Sequence, residues 1–261
     1  VEFFSLSTYG GFTVNAVKPL DPSTGGGALR RYAELSSGQF RELADRAVFI
    51  VPVGSVEQHC EGPLGTDLMI AEAVSEAACE HLERSGTPCV LMPAIPYGLS
   101  AEWQGVPGTI SMPLQHLVGL VQGIARSLVE GGARAVAFVN GHYGNSPAIQ
   151  AALRDLMPSL PEGVRLLLVD YWEALDIDVG HASEAEREVL RALGYPCVSF
   201  GECERALPSP RGARVFSRPS PGPQRLNARA GQGLTRELIG AAVADAIMKA
   251  LEESSRSRVL P

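Results

Sequence analysis

Val51-Pro-Val-Gly54-Ser55-Val-Glu57-Gln58-His59-Cys60-Glu61-Gly62-Pro63-Leu64-Gly65-Thr66-Asp67 is the stretch whose reading decides the fold. An apolar run over 47–53 ends in Gly54-Ser55. Three side chains able to hold a metal, Glu57, His59 and Asp67, follow within eleven residues. Apolar strand, then polar loop, then helix is the layout of an α/β site, in which loops at the carboxyl ends of parallel strands carry the chemistry. Glu57 and His59 are two apart, so an extended segment points both to one side. Gly62, Pro63 and Gly65 let the loop turn back and bring Asp67 to them. Two carboxylates and an imidazole suit Zn²⁺, Mn²⁺ or Fe²⁺ better than Ca²⁺ or Mg²⁺, and Asp67 has two oxygens with which to bridge a pair of ions. The competing reading of this stretch alone is a loop of solvated charges.

Upstream, Ser36 or Ser37 predicts a hydroxyl-capped helix to about residue 45, preceded by a Gly-rich arm over 1–30 with one short strand at 12–17. Downstream, Asp67 is expected to cap a helix over 68–85, whose apolar residues Ile70, Ala73, Val74, Ala77, Ala78 and Leu82 recur at three and four. A strand over 89–94, a helix over 114–131 and strands over 133–139 and 164–169 follow, with a final helix ending near 253. Glu102 and Trp103 fall in a non-periodic loop, and loops of this kind line pockets. The strand over 133–139 ends in Asn140-Gly141-His142-Tyr143-Gly144-Asn145, which puts His142 just past a strand end, as Glu57 and His59 are. Asn145 or Ser146 is expected to cap the next helix, with Pro147 in its first turn. The third polar cluster is Gly180-His181-Ala182-Ser183-Glu184-Ala185-Glu186, ahead of a helix to about 193. His81 and His116 read as surface residues. The alternation of strands and amphipathic helices predicts α/β: a single-domain three-layer α/β/α with a mainly parallel sheet.

Composition fits that class. The chain has 261 residues, 45% hydrophobic and 20% charged, with a formal net charge of −7. That is enough for one large core, and the acidic balance argues against a nucleic-acid partner. The local basic excess lies near a Pro/Arg-rich loop over 208–226 that holds Arg211, Arg214 and Arg218, with Arg205 just before it. Five cysteines without regular spacing do not suggest a disulfide framework. Cys79 and Cys89 read as core residues, and Cys60 as incidental to its loop. No apolar run reaches the ~18 residues of a membrane span, and no charged-then-apolar leader opens the chain, so no membrane partner and a cytoplasmic protein are expected. No Gly-rich stretch matches a nucleotide fingerprint.

Taken together, the motifs resemble the creatininase (creatinine amidohydrolase) family. Its first motif, PxGSxEQHGPHLPLGTD, corresponds to Pro52 through Asp67; its NGHGGN or NGHYEN to Asn140–Asn145; its HAGExE to His181–Glu186; and its YGxS…PGTI to Tyr97–Ser100 and Pro107–Ile110. The resemblance implies a creatininase-like fold, a hexamer and a small-molecule substrate. It also implies two divalent transition-metal ions, one held by Glu57, Asp67 and His142, the other by His59, Asp67 and a glutamate. In creatininase proper that glutamate stands where this chain has Gly144, which points the ligand role to Glu184. His181 becomes the general acid/base with Glu186 positioning it, and Tyr143, Trp103 and Trp172 become candidate substrate contacts. The implied reaction is hydrolysis of a C–N bond in a small cyclic amide or formamide by a metal-activated water. Family activities include creatinine ring opening, deformylation of a formamidopyrimidine nucleotide and peptide cleavage in mycofactocin maturation. The chain departs from the pattern in a His59-to-Asp67 segment one residue short, in lacking the GPH histidine, and in Ser183 for glycine. A family member without catalysis, acting as a binding or scaffold subunit, is the alternative.

Overall fold

The computed structural model describes residues 29–195, 198–201 and 233–256. The strand expected at 12–17, nearly all of the 1–30 arm, the 208–226 loop with Arg211, Arg214 and Arg218, and Arg205, Cys197 and Cys203 lie outside the described residues. In order come α1 (Ser37–Leu43), β1 (Val48–Val53), α2 (Thr66–Arg84), β2 (Cys89–Leu91), α3 (Leu114–Glu130), β3 (Ala135–Asn140), α4 (Ser146–Leu156), β4 (Arg165–Asp170), the short α5 (Tyr171–Ala174), α6 (Glu184–Ala192) and α7 (Arg236–Arg256).

The four strands form one parallel sheet in the order β2-β1-β3-β4. Every residue of β1 is buried, as a continuous apolar run in the middle of a parallel sheet requires. Period-two alternation then sorts each strand between two cores. Val48 and Ile50 of β1 and Ala137 and Val139 of β3 pack with α2, α6 and α7. Phe49, Val51 and Val53, with Val136 and Phe138, face α1, α3 and α4. The result is the expected three-layer α/β/α arrangement.

Pro52 sits in this central strand, where a missing N–H would ordinarily break the ladder. The carbonyls of Ile50 and Pro52 accept from Met92 and Ile95, so the Pro52 nitrogen also faces the β2 side. There the regular pairing has already stopped at Ile50↔Leu91, and no ladder bond is lost.

The strand order places the site. β1 and β3 are neighbours, in register to Val53↔Asn140, yet the chain leaves β1 toward β2 and returns to β3 on the other side. That reversal opens a crevice at the carboxyl ends of adjacent parallel strands. The loops after Val53 and Asn140 both empty into it. Gly141 is glycine because α2 passes close by: a Cβ there would lie 2.3 Å from the Asp67 carbonyl oxygen.

Three local expectations change. β2 is shorter than predicted, three residues long. Asp67 is not the cap of α2; the helix starts at Thr66 with Gly65 as N-cap, so Asp67 lies within the first turn, where a carboxylate is favoured by the helix dipole. Asn145 stands at the N-cap of α4 but does not cap it; its side chain accepts from Leu99 N–H and donates to the Gly54 carbonyl.

Cys79 of α2 and Cys89 of β2 are buried, as predicted, but bonded to each other across a sequence separation of ten. The expectation that the cysteines form no disulfide framework is corrected here: α2 and β2 are antiparallel neighbours in sequence and space, and the turn at 85–88 brings the two thiols together. Closing a loop of that length restricts the unfolded chain and stabilises the fold by about 2 to 3 kcal/mol. A Cys79→Ala/Cys89→Ala double variant should therefore unfold at lower denaturant by that free energy, measured on protein stripped of metal. An unchanged midpoint would remove the stabilising role.

Candidate metal centre

The crevice collects side chains from four segments. Glu57 and His59 come from the loop after β1, Asp67 from the first turn of α2, His142 from the residue pair after β3, and Glu186 from the first turn of α6. All five are buried; Glu57 is 1% exposed and His59 fully covered. Three carboxylates and two imidazoles at such depth are expensive unless they neutralise one another or hold ions.

The geometry centres on Asp67. Its Oδ1 lies 3.3 Å from His59 Nε2 and its Oδ2 3.0 Å from His142 Nδ1. Glu57 Oε1 is 3.4 Å from His142 Nδ1, and Glu186 Oε1 is 4.0 Å from His59 Nε2. Potential ligand atoms therefore fall into two triads, Glu57–Asp67–His142 and His59–Asp67–Glu186, joined by Asp67, with Glu57–His59–His181 as a third grouping.

Each histidine is fixed from behind. His59 Nδ1 donates to the Glu57 main-chain carbonyl at 3.2 Å, and His142 Nε2 to the Leu99 carbonyl at 3.0 Å. A carbonyl only accepts, so the nitrogens facing it keep their protons and the opposite nitrogens are the ones turned to the carboxylates. This is the orientation a metal-binding imidazole needs. Ser55 Oγ donates to Asp67 Oδ2 at 2.9 Å, and Ser100 Oγ to Ser55 Oγ. Glu57 Oε2 and His59 Nε2 are buried with no hydrogen-bond partner among the described residues. Glu57 Oε2, an acceptor orphaned inside the cluster, fits a bound cation, as does His59 Nε2, which the carboxylates of Asp67 and Glu186 approach at 3.3 and 4.0 Å.

Position 144 has no room for a side chain. A Cβ on Gly144 would stand 2.3 Å from the Leu99 carbonyl oxygen and 2.5 Å from His142 Nε2. No side chain fits between the histidine and its carbonyl. The expected substitute is Glu184, but the carboxylate that reaches His59 and Asp67 is that of Glu186. Glu184 lies on the outer side of α6, paired with Arg187, while Glu186, two residues on, points inward. The cause is the capping box at Ser183: its hydroxyl accepts from Glu186 N–H, and Glu186 Oε2 accepts from Ser183 N–H at 3.0 Å. That bond folds the Glu186 carboxylate back over the helix start and leaves Oε1 toward His59. The same bond corrects the expectation that Glu186 positions His181. The His181 nitrogens are met instead by Glu57 Oε1, 3.3 Å from Nδ1, and by Gln58 Nε2, 2.8 Å from Nε2.

Trp103 is buried and stacks on His181 with ring centroids 4.5 Å apart. Tyr143 and Trp172 do not join it. They pair with each other at 5.8 Å and line a cavity of about 910 Å³ beside β4, with Ser146, Arg165 and Asp170. Cys60 is disulfide-bonded, which corrects its reading as incidental and removes it as a thiolate ligand.

The electrostatics follow from burial plus proximity. Burial alone would lower the His59 and His142 pKa values. The Asp67 carboxylate reverses this for His59, raising it to about 9. Glu57 and Asp67 together do so for His142, raising it to about 10. Burial would raise Asp67, but His59 and His142 hold it well below the usual carboxylate range. Glu186 is pushed up to about 8, by burial first and then by the Asp67 and Glu57 charges, against the pull of His59.

Comparison with known proteins agrees with this architecture. The family model described as creatininase, creatinine amidohydrolase, matches residues 33–251. The chain belongs to the creatininase family. It is 31% identical over 181 residues to a creatinine amidohydrolase of Pseudomonas putida, covering 60% of this chain and 67% of that protein. It is 42% identical over 109 residues to a mycofactocin precursor peptide peptidase of Mycolicibacterium smegmatis, covering 40% of this chain and 42% of the relative. Among solved structures, a creatininase mutant described as Zn–Zn type matches at 25% identity and a TM-score of 0.67, over 87% of this chain and 99% of that one. A putative creatinine amidohydrolase from Bacteroides fragilis matches at 23% identity and a TM-score of 0.65, over 86% and 95%.

Of this family member's site residues, Gln58 and Ser55 had no assigned role in the sequence, although both stand inside its most informative motif. The inward turn of Glu186 did leave a signal: Ser183 followed three residues later by Glu186 is a capping-box spacing.

A pH test follows. The folded values of His59 and His142, about 9 and 10, stand above the ordinary 6.5. Their contribution is complete below pH 6.5 and is lost as pH rises through the folded values. Glu186, raised to about 8, has the same sign, its contribution fading between 4.5 and 8. Chelator-treated protein should thus lose thermal stability from about pH 7 to pH 10, and zinc-loaded protein should lose much less. A rise in stability of the chelated protein over that window would contradict these protonation states.

Proposed function

We propose that this creatininase-family hydrolase is a metal-dependent amidohydrolase that cleaves the C–N bond of a small cyclic amide or formamide at a centre of two divalent ions, Zn, Fe or Mn. The observation that carries the reading is the pair of back-tied histidines facing a shared buried Asp67. Glu57, Asp67 and His142 would hold one ion; His59, Asp67 and Glu186 the other. Such ions supply Lewis acidity to a carbonyl oxygen and lower the pKa of a bound water. Structural neighbours described as Zn–Zn type and Mn support the choice of metals.

The chain's own residues supply the rest. His181 is the most accessible titratable group of the cluster, its side chain 16% exposed against 1% for Glu57. It stands where it can carry a proton from the attacking water to the leaving nitrogen. Trp103 stacks on one side of that imidazole and holds the ring in place while shielding it from bulk water. Ser55 keeps Asp67 oriented through the bond to Oδ2. Tyr143 and Trp172, in the cavity beside β4, would contact a substrate only beyond its reacting end.

A peptide amide is the second reading. It is favoured by the higher local identity to mycofactocin peptidases, 42% over 109 residues against 31% over 181 for creatinine amidohydrolase. The chain spans less than half the length of that peptidase. Deformylation of a formamidopyrimidine nucleotide is the more specific form of the first reading. A hexamer in the cytoplasm belongs to the same proposal. Among the described residues no helix is long and apolar enough to cross a membrane, and the net charge of −7 does not suit a nucleic-acid partner.

The test is turnover by zinc- or manganese-loaded protein on cyclic ureides, formamides and short peptides. Hydrolysis should fall by about 10²-fold or more in His181→Ala with metal retained. Glu186→Gln should lose both metal and activity, whereas Glu184→Gln should keep both. Metal-loaded protein inert toward every amide would favour the non-catalytic reading.

A further inference from the structure

Tyr171 opens α5 directly after β4 and packs in the layer formed by α2, α6 and α7. It is 1% exposed and among the largest fully buried side chains. Its ring has a clear use there, meeting Trp172 edge-on with centroids 5.2 Å apart. Its hydroxyl has none. Tyr171 Oη is buried without a hydrogen-bond partner, as Glu57 Oε2 is. A buried hydroxyl left unpaired forfeits the bonds it made to water. A Phe would fill the same layer without that cost.

The neighbourhood decides what can satisfy it. α6 carries Glu186 and α2 carries Asp67, and both helices pack in the layer that holds Tyr171. Burial pushes the phenol pKa up, and the charges of Glu186 and then Asp67 push it further. The group is therefore an O–H donor facing two carboxylates. Asp67 is already met at both oxygens, Oδ1 by His59 and Oδ2 by His142 and Ser55. Glu186 is not. Its Oε2 accepts from Ser183 N–H, but Oε1 has His59 Nε2 at 4.0 Å, beyond hydrogen-bond reach. A carboxylate offers about four lone-pair sites, so Glu186 can serve an ion, keep the Ser183 bond and still accept from a phenol. Carboxylates that bind metals are themselves held by hydrogen bonds that fix their orientation. Asp67 has such a donor in the Ser55 side chain, and Tyr171 is the side-chain donor available to Glu186.

We propose that Tyr171 is a positioning residue whose hydroxyl donates to the Glu186 carboxylate and holds it in the orientation that joins His59 and Asp67 around the second ion. This rests on the reading of His59, Asp67 and Glu186 as an ion site, and it adds a donor from outside the ligand set. The two groups are not bonded in the structure, so the bond closes as Glu186 turns onto the ion.

The test is Tyr171→Phe, which removes the hydroxyl and keeps the ring, compared with wild type as full-length protein with and without zinc. After chelator treatment the variant should unfold at the wild-type midpoint or above it, because no bond has been lost. With zinc, one equivalent should bind about 10- to 100-fold more weakly than in wild type, measured by competition with a chromophoric chelator, while the other is held as in wild type. The Raman ring doublet of tyrosine reports hydrogen bonding at the phenol and gives a signature independent of affinity. The chain has six tyrosines, so the difference between wild type and variant isolates Tyr171. That difference should become the one expected of a hydrogen-bond donor only when zinc is added. Unchanged affinity for both equivalents overturns the proposal. So does an equal loss of stability with and without zinc, which would mark a packing or water-binding role. A tyrosinate absorption band on zinc loading would make the oxygen a ligand instead of a donor and overturns it too. Wild-type protein that takes up no zinc would overturn the ion-site reading itself, and the proposal with it.

Discussion

A single carboxylate carries the structural burden. Asp67 is 2% exposed, and taking an unpaired carboxylate to such depth would cost several kcal/mol. It is kept charged because a histidine stands at each of its oxygens and a serine hydroxyl reinforces one of them. Everything around it serves that placement. β1 and β3 run parallel to a common end, their loops supply the histidines, and the glycine after β3 lets the first turn of α2 press against the sheet. Shifting α2 by one residue would remove Asp67 from between the two imidazoles and leave several buried charges uncompensated. The fold is therefore a device for holding one acid between two bases, at a depth where a metal ion can take over the compensation.

Much of this was legible in the sequence because the informative residues lie at strand ends. An apolar run over 47–53 followed by Glu57 and His59, and one over 133–139 followed by His142, place all three at one edge of a parallel sheet before any packing is known. The creatininase resemblance added the order of the motifs and the pairing of ligands. What the sequence leaves open is local. The choice between Glu184 and Glu186 depends on which way the first turn of α6 faces. A hydrogen bond from Ser183 N–H decides that, not a periodicity. A cap and a first-turn acid look alike in sequence, so Asp67 is not placed by pattern alone. The Cys79–Cys89 bond depends on α2 turning back beside β2, and cysteine spacing alone gives no sign of it.

The site divides into a rigid half and a half assembled from loops. The candidate ligand cluster is tied to strand ends and helix starts, the most strongly constrained parts of the chain. His181 instead arrives on the segment before α6, where Ala182 also has a positive φ of 48°, and it is secured by Trp103, His59, Glu57 and Gln58 from other segments. Family members that share the ligand cluster can thus differ in the chemistry they perform by changing these loops. The similarity of this chain to both a creatinine amidohydrolase and a peptide peptidase is what such a division of labour predicts.

The most direct test of the central claim is anomalous diffraction at the zinc edge from crystals of the zinc-loaded protein. The account predicts two peaks about 3.5 to 4 Å apart, with Asp67 between them, one against Glu57 and His142 and the other against His59 and Glu186. One peak alone, or two peaks away from Asp67, would contradict the bridged centre on which the functional reading stands.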